Sequence, residues 1–119
     1  MAISPTKKSI ESLKHQGFLV AITEHFNFFA KRRMDLFGFI DLLALKENEL
    51  LAVQTTTLEN LGTRLAKIKG TPAAVLWLMS PSRRLQIHGW KKGKGKGYPW
   101  ELTTREVHLT DVIDHTMRD

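Results

Sequence analysis

Residues 38–57 read GFIDLLALKENELLAVQTTT, which is two apolar segments separated by a short polar turn. Side chains alternate between the two faces of a strand, and both segments are typical of strands that pack against a core. Each segment nevertheless carries one polar residue at a core-facing position, Asp41 in the first and Gln54 in the second. The stretch therefore predicts a β-hairpin over 38–56 that holds two polar side chains against its core.

The register of this hairpin determines whether the two polar side chains meet. A two-residue turn at 47–48 places Asp41 directly opposite Gln54, with Cβ atoms about 4.5–5.5 Å apart. A three-residue loop would place Asp41 opposite Thr55, on the wrong face. A carboxylate beside an amide oxygen is half of a site for a hard cation such as Mg²⁺. The same two side chains could instead hydrogen-bond only to each other, and both interpretations remain open.

The composition indicates a single domain with a basic surface. The chain has 119 residues and a formal net charge of +6. A pI near 9.8 favours an anionic partner, most commonly nucleic acid, and a merely soluble basic surface is the alternative. The absence of cysteine excludes disulfides, zinc–thiolate sites and a cysteine nucleophile. No signal peptide or membrane span is evident in the sequence, so we expect a cytoplasmic protein.

Hydrophobic spacing predicts the other elements. Leucines and an isoleucine recur at helical spacing over 58–68, and Gly70 closes that helix. The segment 73–79 is compatible with a helix or a buried strand, and the tail from 111 shows no clear signal. The order α-β-β-β-α-(α)-β-β indicates an α/β (α+β) fold with a mixed central sheet flanked by helices. The remaining predicted elements are a helix that starts at Ser4, a strand over 18–26, an irregular segment over 27–37, and a strand pair over 84–90 and 98–110.

The hairpin resembles the core of the PD-(D/E)XK nuclease superfamily, in particular its small phage-type and VRR-NUC-like members related to Holliday junction resolvases. In that pattern an Asp begins an apolar strand, and an acidic residue or Gln, one spacer and a Lys end the next strand. Asp41 matches the Asp and Gln54 the acidic position, while Thr55 takes the spacer and Thr56 the Lys position. The similarity extends from about residue 17 to residue 90 and implies a restriction-endonuclease-like core.

The sequence departs from this pattern at two positions. Gln54 retains a ligand oxygen without a charge, and Thr56 cannot replace a lysine ammonium. The segment TTLE at 56–59 is typical of a capping box, which favours a structural role for Thr56 at the start of the next helix. The missing charges of the motif would therefore have to come from neighbouring elements, as they do in some members of the superfamily.

Four residues are candidates for those missing charges. Arg64 or Lys67 would supply the cation, because both flank the apolar stripe of the helix that follows the hairpin. Glu24 or Asp35 would supply the acid, because both flank the motif end of the hairpin, and Glu11 on the first helix ranks below them. Each of these positions is also typical of an ordinary charged surface.

The resemblance implies a metal-dependent endonuclease that hydrolyses phosphodiester bonds, most simply in DNA and with some selectivity for substrate structure. Asp41, Gln54 and the backbone carbonyl of Thr55 would bind Mg²⁺ or Mn²⁺, and the resemblance places such a protein in a bacterial or phage-infected cell. A non-catalytic nucleic-acid-binding protein on a degenerate nuclease fold is the alternative, which Gln54 and Thr56 favour. Related junction-cutting enzymes are dimers, so a homodimer is a further open possibility.

Two basic stretches are candidates for contact with the phosphate backbone, at 30–33 and 91–97. Lysines interleaved with glycines can follow phosphates without reading sequence, and a flexible soluble hairpin tip is the alternative. Phenylalanines at 26, 28 and 29 lie beside the first stretch and could stack bases, but the composition favours a core role for them. The candidate basic residues are Lys31, Arg32, Arg33, Lys91, Lys92, Lys94 and Lys96.

Overall fold

The computed structural model describes residues 4–94 and 99–116, with side chains described as far as Ile113. Its strands are β1 (Leu19–Ile22), β2 (His25–Asn27), β3 (Arg32–Met34), β4 (Leu42–Lys46), β5 (Glu49–Thr57), β6 (Arg83–Lys92) and β7 (Trp100–Val107). Its helices are α1 (Pro5–His15), α2 (Leu61–Lys69), α3 (Pro72–Leu78) and α4 (Leu109–Thr116), and a 3-10 turn (Leu58–Asn60) precedes α2. Within the described residues, no helix has the length and apolarity needed to cross a membrane.

The centre of the fold is a mixed five-stranded sheet in the order β1-β4-β5-β6-β7. The β5–β6 pair is parallel, and the described pairs β1–β4, β4–β5 and β6–β7 are antiparallel. Parallel neighbours need a crossover connection, and here α2 and α3 provide it. The predicted α+β fold with a mixed central sheet flanked by helices is confirmed. The predicted hairpin register is also confirmed, because Leu42 pairs with Val53 and Lys46 pairs with Glu49.

Helices cover both faces of the sheet and create two hydrophobic cores. Helix α1 begins at Ser4, whose Oγ accepts a hydrogen bond from the backbone N–H of Lys7 at 3.2 Å, as an N-cap residue does. The core under α1 contains Leu13, Phe18, Leu42, Ala44, Leu51 and Val53. The core on the opposite face, under α2, α3 and α4, contains Phe39, Ile40, Ala52, Ile68, Ala74, Leu78, Leu85, Ile87, Val107 and Val112.

Several predicted elements differ from the structure in their extent, among them the strand predicted over 98–110, which ends at Val107 before α4 begins at Leu109. The strand predicted over 18–26 is broken into β1 and β2, and the segment predicted to be irregular contains β3. Strands β2 and β3 pair with each other outside the main sheet. The first strand of the hairpin begins at Leu42 rather than at 38, because residues 36–40 form a turn closed by a bridge between Leu36 and Ile40.

The predicted capping box at 56–59 is wrong. Thr56 is buried within β5, where it pairs with Gly89 of β6. The parallel pairing with β6 extends β5 past Val53, the partner of the first residue of β4, and this pairing outcompetes the local capping pattern. The segment at 73–79 forms α3 from Pro72, and the tail without a clear signal contributes α4.

The 3-10 turn before α2 lies close to β6 at Gly89. A Cβ on this glycine would lie 2.8 Å from Cδ1 of Leu61 and 3.2 Å from Cα of Leu58. Because glycine carries no Cβ, the beginning of α2 lies directly on the sheet. This close packing sets the position of the helix that carries Arg64 and Lys67.

Candidate metal centre

Asp41 occupies a fixed position just before β4, at the point where three segments of the chain meet. Its backbone N–H donates to the carbonyl of Val53 at 2.9 Å. Its own carbonyl accepts from the N–H groups of Thr23 and Glu24, at 2.9 and 3.3 Å. These bonds bring the residues that follow β1 and the middle of β5 to Asp41, whose side chain is buried. The backbone therefore delivers Glu24 to the same place.

The side chains of Asp41 and Gln54 touch, as the hairpin register predicts. Gln54 Nε2 donates to Asp41 Oδ2 at 3.1 Å and to Asp35 Oδ2 at 3.0 Å. The backbone N–H of Thr55 also donates to Asp41 Oδ2, at 2.8 Å. The carboxylate of Asp41 is thus held by two consecutive residues of β5, and Gln54 links it to a second carboxylate.

Three carboxylates converge at this point. Each of Glu24, Asp35 and Asp41 offers an oxygen, and these oxygens lie within 4.8 Å of one another. Asp35 reaches the group because the turn at 36–40 folds back, with Gly38 at a φ of 85° donating its N–H to the Asp35 carbonyl. We call Glu24, Asp35, Asp41 and Gln54 the carboxylate cluster.

The carboxylate cluster holds its acids at different pKa values. Burial, together with the hydrogen bond and the charge of Asp35, raises the pKa of Asp41 to about 7, although the hydrogen bond from the backbone N–H of Thr55 acts to lower it. Burial also raises the pKa of Asp35, but hydrogen bonds from Asp41 and Gln54 outweigh it and the pKa is lowered. Lys67 and Arg64 contribute to that lowering through their charges. Near neutral pH the two aspartates therefore share a proton.

The carboxylate cluster lines a cavity of about 420 Å³ whose other walls are cationic. Arg64 and Lys67 border it from α2, and Thr6 borders it from α1. The remaining basic residues of the wall are Arg32 and Arg33, and Arg33 lies 3.8 Å from Glu24. The structure thus brings the higher-ranked acids Glu24 and Asp35 and both candidate cations into one cavity with Asp41, whereas Glu11 is exposed on α1 and does not line it.

The second basic stretch does not reach this cavity. Lys91 and Lys92 line a different cavity, together with Trp90 and Trp100. Lys94 is exposed, and Lys96 lies outside the described residues. Lys31 is exposed next to the arginines of the first stretch but does not line the cavity. Only the first basic stretch therefore adjoins the carboxylate cluster within the part of the chain that the structure describes.

The donor set fits a hard divalent cation. Carboxylate oxygens at this spacing are the ligands that Mg²⁺ and Mn²⁺ prefer. The amide of Gln54 is oriented opposite to the prediction, since its nitrogen and not its oxygen faces the carboxylates. Its Oε1 is buried without a hydrogen-bond partner among the described residues. Rotating the amide by 180° would direct this oxygen to the carboxylates, which is favourable when a cation or a protonated carboxyl group lies between them.

A second cluster of buried polar side chains lies under α1, and sequence reasoning missed it. Ser9 Oγ accepts from the indole N–H of Trp90 at 2.8 Å and lies 2.8 Å from His88 Nδ1. His88 Nε2 lies 3.1 Å from Oε1 of Gln86. Burial lowers the pKa of His88 to about 4, so the ring is neutral near pH 7. We call Ser9, His88 and Trp90 the neutral cluster.

The cavity wall also contains a residue that no sequence signal indicated. The hydroxyl of Thr6 hydrogen-bonds with the hydroxyl of Thr55 at 2.8 Å and so connects the start of α1 to β5. A threonine in the first turn of a helix is common, and nothing in its spacing distinguishes it.

No protein-family model, no curated protein and no solved structure matches this chain.

Proposed function

We propose that this protein is a metal-dependent endonuclease that hydrolyses phosphodiester bonds in DNA. The observation that carries the proposal is the convergence of Glu24, Asp35 and Asp41 within 4.8 Å in a cavity with cationic walls. Acids grouped this closely repel one another unless a cation lies among them, and the surrounding cations attract a phosphate. The resemblance of the hairpin to the PD-(D/E)XK pattern agrees with this chemistry.

Each residue of the carboxylate cluster has a distinct part in this proposal. Glu24, Asp35 and Asp41 would hold Mg²⁺ or Mn²⁺, with Gln54 as a ligand once its amide is reversed. The Thr55 carbonyl remains a proposed further ligand, while its N–H orients Asp41. When bound, the ion supplies a more acidic water and stabilises charge on the phosphate. Because the two aspartates share a proton near pH 7, we expect tighter metal binding as the pH rises.

The cations on α2 would take the place of the missing motif lysine. Thr56 is buried in β5 and carries no charge, so it cannot contact a phosphate. Lys67 and Arg64 border the cavity from the opposite wall, and their charges already act on Asp35. Either side chain would stabilise the negative charge that builds up on the phosphate during hydrolysis. The surplus of cations in the wall also draws the DNA backbone towards the cavity.

Cleavage assays test this proposal directly. Supercoiled, single-stranded and four-way-junction DNA would be incubated with Mg²⁺ or Mn²⁺ and wild-type protein, Asp41→Asn or Glu47→Gln. Glu47 is an exposed acid in the β4–β5 turn, outside the cavity, and provides the matched control. We expect wild type and Glu47→Gln to cleave, and Asp41→Asn to be slower by at least about 100-fold. Undiminished cleavage by Asp41→Asn would overturn the assignment.

A non-catalytic nucleic-acid-binding protein is the second candidate. The orientation of the Gln54 amide favours it, because the amide nitrogen satisfies two carboxylates without any ion. This candidate predicts salt-dependent DNA binding that is the same in wild type and Asp41→Asn, with no cleavage in either metal. Calorimetric titration with Mn²⁺ separates the two candidates, because only the nuclease requires a site that depends on Asp41.

A further inference from the structure

The segment 25–34 forms a hairpin of β2 and β3 that projects three aromatic side chains into solvent, and we call it the aromatic hairpin. Phe26 is 46% exposed, Phe28 is 81% exposed and Phe29 is 101% exposed. The composition favoured a core role for these residues, and that prediction is wrong. Three exposed phenylalanines this close together on one short hairpin indicate a contact surface rather than chance exposure.

The aromatic hairpin is held in one conformation by its own hydrogen bonds. The side-chain oxygen of Asn27 accepts from the N–H groups of Phe29 and Ala30, both at 2.9 Å. The amide nitrogen of Asn27 donates to the sulfur of Met34 at 3.2 Å. A surface ordered before it meets its partner loses less conformational entropy on binding. The phenylalanines are therefore preorganised for binding and do not have to be ordered by the ligand.

Two of the phenylalanines, Phe26 and Phe28, form a row that starts at the cavity. Phe26 pairs directly with Arg33 across the hairpin, so the two side chains share a face. Arg33 lines the cavity and lies 3.8 Å from Glu24 of the carboxylate cluster. On the other side, the rings of Phe26 and Phe28 contact edge to face with centroids 5.1 Å apart. The row therefore leads from the carboxylates through a guanidinium to two aromatic rings.

The charge of the aromatic hairpin identifies the chemistry of its partner. The segment contains Lys31, Arg32 and Arg33 and no acidic residue. Proteins that bind single-stranded nucleic acid combine cations with exposed aromatic rings, since cations contact phosphates and rings stack on bases. Bases inside a duplex are already stacked on each other and cannot reach these rings. The hairpin thus matches a strand whose bases are unpaired.

We propose that the aromatic hairpin stacks unpaired bases of the strand whose phosphate enters the cavity. This inference rests on the proposed nuclease function and specifies its substrate as nucleic acid with a single-stranded segment beside the cleaved bond. Duplex DNA without such a segment would contact only the cations. The aromatic hairpin then determines which DNA is cleaved, while the carboxylate cluster carries out the cleavage.

Binding assays that isolate the bases test this inference. Fluorescence anisotropy in EDTA would compare the affinity for a labelled fifteen-nucleotide oligothymidylate with the affinity for an abasic strand of the same length. This length corresponds to about one to a few binding-site sizes. The proteins would be wild type, the double variant Phe28→Ser/Phe29→Ser and the control Phe37→Ser. Phe37 is 62% exposed but lines a different cavity, beside Leu76 and Trp77. Circular dichroism would verify that all three proteins are folded.

We expect wild type and Phe37→Ser to prefer the strand with bases by at least about fivefold, and the double variant to lose this preference. Equal affinity of wild type for the two strands would overturn the inference. It would also be overturned if sedimentation showed a dimer that the double variant dissociates while base preference is absent, because the hairpin would then be a self-association surface. Base-dependent binding without cleavage would support the inference about the aromatic hairpin and reject the proposed nuclease function. Cleavage without base-dependent binding would support the nuclease function and reject the inference about the hairpin.

Discussion

The two clusters of buried polar side chains lie on opposite faces of one sheet and follow opposite rules. Gln54 of the carboxylate cluster pairs with Ile87 and shares its face, whereas His88 of the neutral cluster pairs with Thr55 on the other. In the neutral cluster every described polar group has a partner, and the one titratable ring stays uncharged. In the carboxylate cluster three acids crowd together and one buried oxygen has no partner among the described residues.

The difference separates stability from function. A buried polar group that is hydrogen-bonded adds about 1 kcal/mol to stability, and one without a partner costs about 1–3 kcal/mol. The neutral cluster is the arrangement expected where a polar group must only be accommodated under a helix. The crowded acids and the unpaired oxygen of the carboxylate cluster cost free energy of folding that a better-packed arrangement would avoid. Such a cost is the pattern expected of a ligand-binding site. Asp41 and Gln54 are as deeply buried as Ser9 and His88, so burial of these side chains does not by itself distinguish the two clusters.

The strongest test of this contrast removes a cation from the cavity wall. Under the proposed function, Lys67→Met or Arg64→Met lowers the cleavage rate by about 100-fold or more, because charge on the phosphate loses its partner. The affinity for Mn²⁺, measured by calorimetry, stays within a few-fold of wild type, since neither side chain is a ligand. Lys69→Met is the control on the same helix, because Lys69 does not line the cavity. If both variants cleave at the wild-type rate, the cationic wall has no catalytic part.

The complementary test disrupts the neutral cluster. Ser9→Ala removes the acceptor of the Trp90 indole and the partner of His88, and we expect a loss of about 2 kcal/mol in the free energy of unfolding. Urea titration monitored by tryptophan fluorescence measures it. Ser12→Ala removes a half-buried hydroxyl of the same helix that accepts a solvent-exposed hydrogen bond from Gln16, and it should change stability by less than about 0.5 kcal/mol. Cleavage per folded molecule should not change, and a selective loss of cleavage would show that the neutral cluster is part of the site.

The sequence was sufficient to predict the parts of the site that depend on local periodicity. Alternation along two strands and a two-residue turn fix the register that sets Asp41 beside Gln54. Helical spacing places Arg64 and Lys67 on the helix that follows. These relations depend on residues close in sequence, so pattern alone determines them.

Other parts of the site depend on tertiary contacts that leave little trace in the sequence. Asp35 reaches Asp41 only because residues 36–40 turn back, with Phe37 at a φ of 55° that its identity does not suggest. The extension of β5 through Thr56 depends on pairing with a strand about thirty residues later. The phenylalanines were expected in a core because aromatic composition predicts burial on average, whereas β2 and β3 pair outside the main sheet.

The smallest expected effect is a pH-dependent difference in stability between wild type and Asp41→Asn. Without divalent metal, the unfolded chain releases the Asp41 proton near pH 3.8, while the folded protein retains it to about pH 7. The wild-type free energy of unfolding therefore decreases as the pH rises through this window. The asparagine variant has no such proton to lose and shows no such decrease. Asp41→Asn should become more stable than wild type by roughly 1–2 kcal/mol at pH 8, with no difference below pH 4.

Thermal denaturation between pH 4 and pH 8, with EDTA or with excess Mg²⁺, measures this difference. His88 also titrates in this range, with the opposite sign, because its depressed pKa costs stability as the pH falls from 6.5 to about 4. It is present in both proteins and cancels in the comparison. Mg²⁺ should raise the wild-type midpoint above pH 7 and leave Asp41→Asn unchanged. A gap that does not vary with pH would show that Asp41 is ionised throughout.

Gly89 has no side chain, and this allows the turn before α2 to pack closely against the sheet. A methyl group at this position would push the backbone at Leu58 outwards by a few tenths of an ångström, because it would stand 3.2 Å from Cα of that residue. Helix α2 begins at the end of this turn, so both of its cavity-facing cations would retreat together from the carboxylates. The width of the cavity therefore depends on the lack of a side chain in the middle of β6, at a position that does not itself line the cavity. A single alanine there is the simplest way to widen the cavity without altering any residue that lines it.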